Sequence, residues 1–242
     1  MIYGIIAGGE GSRLAVEGVK EPKPLVKVNG ERLLDRLVRI FWDNDAEGIA
    51  VAFRKSMTDV AVQLSYLQGC ADGDGLAPVI CTGVETPSSM HSLAAIIDRL
   101  AEGPFCVTTV DTVFREDAFR WYVKAFKECV ESGEADGMMA VTSLIDDEKP
   151  LYVAVDGGMN ITGFLDESGA SNYVSAGIYG LTPRAADVLR RCVERGESRM
   201  RNFQRALLRE GLRLKAFDIG RAFDIDHAAD IGKAERFLRE EV

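Results

Sequence analysis

The most constraining feature of the sequence is a glycine-rich segment that comes directly after the first apolar run. Residues Ile2 to Ala7 are apolar and typical of a buried β-strand. Because glycine lacks a Cβ, backbone N–H groups in a glycine-rich loop can approach a ligand closely. We therefore expect the end of this strand and the following loop to bind phosphate groups. The residues predicted to do so are Ala7, Gly8, Gly9, Gly11 and Ser12, with Arg13 adding a positive charge.

A second segment, Glu21 to Val26, supports this interpretation. Lys23 stands between Pro22 and Pro24, and each proline restricts both its own backbone and that of the preceding residue. The lysine is thus predicted to lie on a stiff, extended segment. The glycines taken alone are equally consistent with a tight strand-to-helix turn. Two fixed cations beside bare backbone N–H groups favour a nucleoside triphosphate site.

Two familiar glycine motifs do not fit. A Walker loop needs a Gly-Lys-Ser/Thr sequence four residues after its first glycine, and no lysine stands there. A dinucleotide fingerprint that starts at Gly9 requires glycine or alanine where the chain has Leu14.

The two segments resemble the signature of the sugar-phosphate nucleotidylyltransferases, also called NDP-sugar pyrophosphorylases. The matching residues are Gly-Gly-Glu-Gly-Ser-Arg-Leu at 8–14 and Pro-Lys-Pro-Leu at 22–25. The resemblance implies an α/β fold, a three-layer αβα sandwich around a mostly parallel mixed sheet, with a β-hairpin-rich insertion on the acceptor side. We expect one domain over 1–242, with a nucleotide-binding half at 1–112 and an acceptor-binding half at 113–242.

Composition limits the partners of the protein. The chain of 242 residues carries a net charge of −9, which argues against nucleic acid or an anionic membrane as partner. No apolar run reaches the length of a membrane span, and Met1 leads straight into the first strand, so neither an anchor nor a signal peptide is expected. Its five cysteines are widely spaced and predict reduced thiols. We therefore expect a cytoplasmic protein.

Apolar runs alternate with segments of helical periodicity along most of the chain. Helices are predicted from Leu33 to about Asn44, from Thr58 to Leu67 and from about Met90 to Leu100. The glycines and aspartates of Gly69 to Gly75 predict a surface loop. From Leu151 the pattern changes to short strands, with a β-hairpin turn predicted at 156–158.

Ser88 and Ser89 precede the third of these helices. They stand where the family carries residues that touch the base and sugar of the nucleotide, so the resemblance implies nucleotide binding. A serine at this position is also a good helix N-cap, and the two roles are compatible.

Three aspartates are candidate ligands for Mg²⁺. Asp111 follows the predicted strand Phe105 to Val110, and open α/β sheets bind ligands at the carboxyl ends of their strands. Asp224 and Asp226 lie two residues apart in an extended segment, so they would face the same side. The resemblance implies metal binding by Asp111 together with Asp224 or Asp226, and we favour Asp224. Asp111 as a loop cap and Asp226 as a helix cap remain alternatives.

The acceptor half departs from the family pattern. The segment 172–179 resembles the Asn-Ala-Gly-Ile-Tyr strand of the family, with Ser175 in place of the sugar-binding asparagine and with Gly177 kept. The preceding Glu-Lys-Pro of the family is replaced by Phe164 to Ser168. Ser175 and Gly177 are the acceptor-binding candidates, and the usual hexose phosphate is not the only acceptor to consider.

A run of arginines follows between positions 190 and 205. Glutamates are interspersed in it, as in a solvated helical face, and anion binding is the alternative interpretation. The run consists of Arg190, Arg191, Arg195, Arg199, Arg201 and Arg205.

The resemblance implies transfer of a nucleotidyl group from a nucleoside triphosphate to a sugar phosphate or similar phosphate monoester, with release of pyrophosphate and dependence on Mg²⁺. Arg13 and Lys23 are the predicted catalytic residues. A phosphate monoester is largely dianionic near neutral pH, so it needs no strong general base to attack. Two alternatives are a non-catalytic nucleotide-sensing domain and transfer to a non-sugar acceptor. The nucleotide base, the acceptor and the oligomeric state are not determined by the sequence.

Overall fold

The longer strands coincide with apolar or β-branched runs of the sequence. The computed structural model describes residues 1–146, 148–169 and 171–240. The strands are β1 Ile2–Ala7, β2 Lys27–Val28, β3 Glu31–Arg32, β4 Gly48–Arg54, β5 Val79–Val84, β6 Phe105–Thr109, β7 Thr112–Val113, β8 Gly137–Thr142, β9 Tyr152–Val155, β10 Ile161–Leu165, β11 Val174–Leu181, β12 Leu214–Asp218 and β13 Phe223–Asp224.

The longer helices coincide with the segments that have apolar residues at helical spacing. Pro183 begins α7 at the first-turn position that proline favours. The helices are α1 Ser12–Val16, α2 Leu33–Trp42, α3 Thr58–Asp74, α4 Ser89–Ala94, α5 Ile97–Leu100, α6 Glu116–Glu131, α7 Pro183–Glu194, α8 Met200–Arg209 and α9 Ala228–Arg239.

The main sheet joins a parallel half to a mixed half. Strands β6, β1, β4 and β5 are neighbours and parallel, so their carboxyl ends meet at one edge. Strand β11 pairs antiparallel with β6 on the other side and leads to β8 and β9. β12 runs parallel to β8, and β9 and β10 form the antiparallel hairpin predicted from the turn at 156–158.

Both faces of the sheet are covered, which gives three layers. In β1 the side chains of Tyr3 and Ile5 belong to one core and that of Ile6 to the other, as the alternation of a strand requires. Helices α2, α3, α6 and α9 supply the first core, and α4, α5, α7 and α8 supply the second. The predicted three-layer α/β fold is therefore confirmed.

Two local predictions are wrong. The predicted loop Gly69 to Gly75 is helical up to Asp74, because α3 ends at Gly75, which takes the left-handed conformation that favours glycine. The helix predicted from Met90 to Leu100 is divided into α4 and α5, with Ala95 and Ile96 between them. All five cysteines are free, as expected. Among the described helices, none combines the length and the apolar character that a membrane span needs.

Asp136 ties the base of the mixed half together. Its carboxylate accepts hydrogen bonds from Arg184 at 2.6 Å and from the backbone N–H of Arg213 at 2.9 Å. The side chain is 11% exposed. Burial alone would raise the pKa of Asp136, but the hydrogen bonds from Arg213 and Arg184 outweigh it and lower the pKa.

We expect Asp136→Asn to lower the free energy of unfolding at pH 7 by about 1–3 kcal/mol, because it removes charge-assisted hydrogen bonds. The folded-state pKa of Asp136 is depressed, so this stabilisation is complete above the unfolded-state pKa of about 3.9 and is lost as the pH falls through the folded value. Urea unfolding at several pH values should show a constant difference from wild type down to about pH 5 and a shrinking one below about pH 4. Asp187→Asn, at an exposed ion pair, is the control and should stay within about 0.5 kcal/mol of wild type. An equal loss in both variants would contradict the assignment.

Candidate active site

The glycine loop and the proline-clamped lysine pack directly against each other. Gly11 has a φ of +64°, and a Cβ placed on it would lie 3.2 Å from the Cβ of Lys23. Glycine is thus required both for the backbone conformation and for the close approach. Lys23 begins a short 3-10 turn, Lys23–Leu25, and its side chain is only 7% exposed.

The buried ammonium group of Lys23 joins two carboxylates that are distant in the sequence. Its Nζ lies 2.5 Å from Asp111 and 2.6 Å from Asp226. Burial alone would lower the pKa of Lys23, but the charges of the two aspartates outweigh it and raise the pKa. Asp226 also accepts a hydrogen bond from Arg13 at 3.1 Å. Both predicted catalytic cations therefore converge on Asp226.

Asp224 reaches the same place through strand pairing. In the β7 and β13 pair, Asp224 lies opposite Thr112, the residue after Asp111. Thr112 Oγ1 donates a hydrogen bond of 2.9 Å to the carboxylate of Asp224. Asp224 is exposed towards the cavity that it lines. Desolvation by the surrounding protein atoms and the nearby charge of Asp111 raise the pKa of Asp224 above its usual range, although the hydrogen bond from Thr112 acts in the opposite direction.

Gly177 lies behind this hydrogen bond. It has a φ of +71°, at an irregularity in the pairing of β11 with β8. A Cβ at this position would lie 2.5 Å from Thr112 Oγ1 and 2.8 Å from Thr109 Oγ1. The glycine therefore leaves the space in which Thr112 holds Asp224. Its predicted contact with the acceptor stays a prediction.

The loop after β1 has free hydrogen-bond donors. Within the described residues, the N–H groups of Gly9, Gly11 and Ser12 donate to no protein acceptor. Ala7 is buried at the end of β1, and the carbonyl of Gly8 accepts a hydrogen bond from Arg54 at 3.4 Å. Free N–H groups beside Arg13 and Lys23 suit an anionic ligand.

Ser88 and Ser89 begin α4 on the opposite side of the loop. Ser88 stands at the N-cap position, but no side-chain capping hydrogen bond is formed there. Its hydroxyl lies 2.9 Å from Nδ1 of His91 and accepts a bond of 3.3 Å from the N–H of Arg199. Ser89 is the first residue of the helix. The expected side-chain cap is thus absent, and nucleotide contact by the two serines remains a prediction.

A cavity of about 320 Å³ opens beside the aspartates and Arg13. Asp224 and Asp226 line it on one side and the predicted acceptor residue Ser175 on the other. The hydroxyl of Ser175 accepts a hydrogen bond of 3.1 Å from Gln204, a buried residue of α8. The cavity therefore adjoins the charged cluster.

Three residues that contact the predicted site residues or the segment after them were not predicted from the sequence. Thr112 orients Asp224, and Glu17 accepts from the N–H of Ala228 and lies 2.6 Å from Nδ1 of His227. Glu148 lies 3.7 Å from Arg13. A signal for the last one existed, because a Glu-Lys-Pro triplet occurs at 148–150, earlier than the place where the resemblance predicts it. Thr112 and Glu17 carry no recognisable pattern.

Asp111 and Asp224 could provide two protein ligands to a small divalent cation. Among the residues that the structure describes, no group of three or more acidic, histidine or cysteine side chains is arranged to hold a metal ion. Mg²⁺ is usually held by one or two carboxylates plus substrate phosphates. Asp111 and Asp224 are near each other, because Asp224 pairs with the residue after Asp111, so a positive charge beside them would be favourable. Asp111 already shares Lys23 with Asp226, and Asp226 has Arg13 as a further partner.

A known sequence family matches most of the chain. A family model described as a MobA-like NTP transferase domain matches residues 4–207. The match includes the glycine loop, Lys23, Asp111 and β11, whereas Asp224 and Asp226 lie beyond it. No curated protein sequence is significantly similar to the chain.

Several solved structures share the whole fold. A Bacillus anthracis protein crystallised with sucrose and named as a glucose-1-phosphate thymidylyltransferase has a TM-score of 0.82 and 21% identity, over 100% of this chain and 97% of that one. The inositol-1-phosphate CTP transferase from T. maritima has a TM-score of 0.77 and 18% identity, with coverages of 100% and 97%. A UTP-bound UGPase from Acinetobacter baumannii has a TM-score of 0.76 and 18% identity, with coverages of 98% and 92%. At these identities the similarity establishes the fold.

We expect Lys23→Met to destabilise the protein by about 2–3 kcal/mol, because it leaves Asp111 and Asp226 close together without their shared cation. This value is below that for a fully buried pair, since Asp226 is 40% exposed and partly screened by water. Urea unfolding at pH 7 without divalent metal measures the change. Lys20→Met, at an exposed lysine of the same loop, is the matched control and should change stability by less than about 0.5 kcal/mol. Equal stability of the two variants would show that the bridge is not important.

Proposed function

Since the chain belongs to the MobA-like NTP transferase family, we propose that it transfers a nucleotidyl group from a nucleoside triphosphate to a sugar phosphate or similar phosphate monoester. One observation carries the proposal: Arg13, Lys23, Asp111 and Asp226 meet in one ion-pair cluster beside the glycine loop. The loop N–H groups would receive the triphosphate, with Arg13 near the departing pyrophosphate. Lys23 would lie near the α-phosphate.

Charge neutralisation and positioning account for the proposed chemistry. An oxygen of the acceptor phosphate would form a bond to the α-phosphorus while the bond to the pyrophosphate oxygen breaks. The attacking phosphate is already anionic at neutral pH and needs no side chain to remove a proton. Preorganised cations stabilise the charge that develops on the leaving group. The anionic phosphates would also compete with Asp226 for Lys23 and Arg13.

Mg²⁺ is the cofactor that the donor set suits best. Asp224 and Asp111 would hold the ion, although Asp111 also pairs with Lys23, while Asp226 pairs with both Lys23 and Arg13. When bound, the ion would neutralise phosphate charge that the protein groups alone do not cover.

The acceptor would enter the cavity bordered by Ser175 and Asp224. Its size of about 320 Å³ suits a small phosphorylated molecule. The names of two relatives, which refer to glucose 1-phosphate and inositol 1-phosphate, support phosphorylated polyols as the first acceptors to test.

Pyrophosphate release tests the proposal directly. The five common triphosphates, ATP, CTP, GTP, UTP and dTTP, are each combined with glucose 1-phosphate, inositol 1-phosphate, phosphocholine or no acceptor, in the presence of Mg²⁺. We expect acceptor-dependent release with at least one pair and its loss when a chelator removes the metal ion. Release that is restored by Mg²⁺ supports Mg²⁺ dependence, and release that persists in the chelator contradicts it. Triphosphate binding without release under any condition indicates the nucleotide-sensing alternative.

Arg13→Gln should lower kcat by about 100-fold or more, because it removes a cation from the developing pyrophosphate charge. The side chain is 49% exposed, so the unfolding midpoint should change little. Steady-state kinetics and thermal unfolding measure the two effects. Arg99→Gln, at an exposed arginine of α5, is the matched control and should keep wild-type kinetics. Wild-type kcat in Arg13→Gln would contradict the role of Arg13.

A further inference from the structure

The arginine run between positions 190 and 205 divides into two groups in the structure. Arg190 pairs with Asp98 and Asp187, and Arg191 and Arg195 both pair with Glu210. These three side chains are 43–46% exposed and form a solvated surface of ion pairs. The other group, Arg199, Arg201 and Arg205, lines a second, open cavity of about 910 Å³.

The second cavity adjoins the proposed acceptor cavity. Glu148 and Pro150 line both of them. Helix α8 connects them as well, because its buried Gln204 donates to Ser175 while the neighbouring Arg205 faces the second cavity. A ligand that extends from the first cavity past Pro150 would therefore contact the arginines of the second cavity.

The lining of this cavity carries one positive charge in excess, with three carboxylates, Glu148, Asp166 and Glu167, against four cations, Lys149, Arg199, Arg201 and Arg205. Asp166 lies 2.7 Å from Arg201 and 2.8 Å from Arg205, so one carboxylate serves two guanidinium groups. Arg201 also donates a hydrogen bond to the carbonyl of Lys149, and Arg205 donates one to the carbonyl of Phe164. The two side chains are 28% and 32% exposed, less than those of the solvated group. Both guanidinium groups are thus fixed in place before a ligand binds.

Arg199 adds a further charge that has no internal partner. Within residues 1–146, 148–169 and 171–240 its guanidinium group forms no ion pair or hydrogen bond. Its backbone has a φ of +73°, which a glycine would adopt without strain. Its N–H is bonded to Ser88, so the residue lies between the second cavity and α4. The backbone conformation alone would favour glycine at this position, so the backbone does not explain why an arginine stands here.

We propose that the cavity of Arg199, Arg201 and Arg205 binds a second anionic group of the acceptor. The acceptor class would be a phosphate monoester that carries, apart from the phosphate that reacts, a carboxylate or a further phosphate. Guanidinium groups bind both kinds of group through paired hydrogen bonds. The inference rests on the proposed function, because it concerns the acceptor of that reaction.

Two sets of probes test the inference without requiring knowledge of the natural acceptor. The first set is glucose 1-phosphate, glucuronic acid 1-phosphate and glucose 1,6-bisphosphate, which differ only at the far end. The second is pentanediol monophosphate and pentanediol bisphosphate, which lack the sugar ring. Dissociation constants from calorimetry and kcat/KM from pyrophosphate release are compared within each set, in wild type and in three variants.

In the wild type we expect a probe with a second anionic group to bind at least about tenfold more tightly than its partner that lacks one, the gain typical of a charge-assisted hydrogen bond. The ratio should fall to near one in Arg201→Gln/Arg205→Gln and should be reduced in Arg199→Gly. The glycine variant keeps the N–H to Ser88 and suits the backbone, so it tests the charge if the double variant fails to fold. Arg190→Gln/Arg195→Gln, which removes two arginines of the solvated group, should keep the wild-type ratio.

Each result has a defined meaning. Tighter binding of both the carboxylate probe and the bisphosphates supports a general anion site. Tighter binding of the bisphosphates alone supports a site for a second phosphate group. A ratio near one in the wild type, including no binding by any probe, overturns the inference and leaves the proposed function to the release assay. A ratio that persists in both cavity variants, or falls equally in the control, also overturns it. Selective binding without pyrophosphate release supports the anion site and overturns the proposed transfer.

Discussion

The ammonium group of Lys23 is the contact on which the arrangement of the site depends. It holds Asp111, from the end of a central strand, and Asp226, from the segment before the last helix, within 2.6 Å of one atom. Two carboxylates this close would repel each other strongly in a partly buried site without a shared cation. The position of the cation follows from Pro22, Pro24 and the close approach that Gly11 allows. Local backbone restrictions thus set the electrostatics of the whole cluster.

Much of the fold could be predicted because the two periodicities of the sequence are distinct. Apolar runs predicted β1 and β6, and the parallel pairing of these strands brings their carboxyl ends to one edge. The glycine loop and Asp111 therefore both lie at this edge. Helix α3 was predicted too short, because Gly69 and Gly73 are typical of a loop, although the helix continues through them to Asp74.

Contacts between side chains that are distant in the sequence could not be predicted from it. Arg195 and Arg199 look alike in the arginine run, yet one meets Glu210 and the other faces a cavity. The difference is set by how α7 and α8 pack, which no local pattern encodes. The same holds for Asp226, which was predicted as a metal ligand or a helix cap. Its contacts with Lys23 and Arg13 depend on the docking of β13 beside β7.

Lys23 and Asp226 are separated by 203 positions in the sequence, which sets the order in which the residues of the cluster are synthesised. Translation delivers the glycine loop and Lys23 early, and Asp111 next, while Asp224 and Asp226 follow only after every helix except α9 has been made. A nascent chain that already contains the glycine loop and Asp111 still lacks the other two carboxylates. Docking of the last helix, which Glu17 secures through Ala228 and His227, is then the event that completes the charge balance. The charged cluster is thereby assembled late, after Asp226 and the helix that follows it have been made.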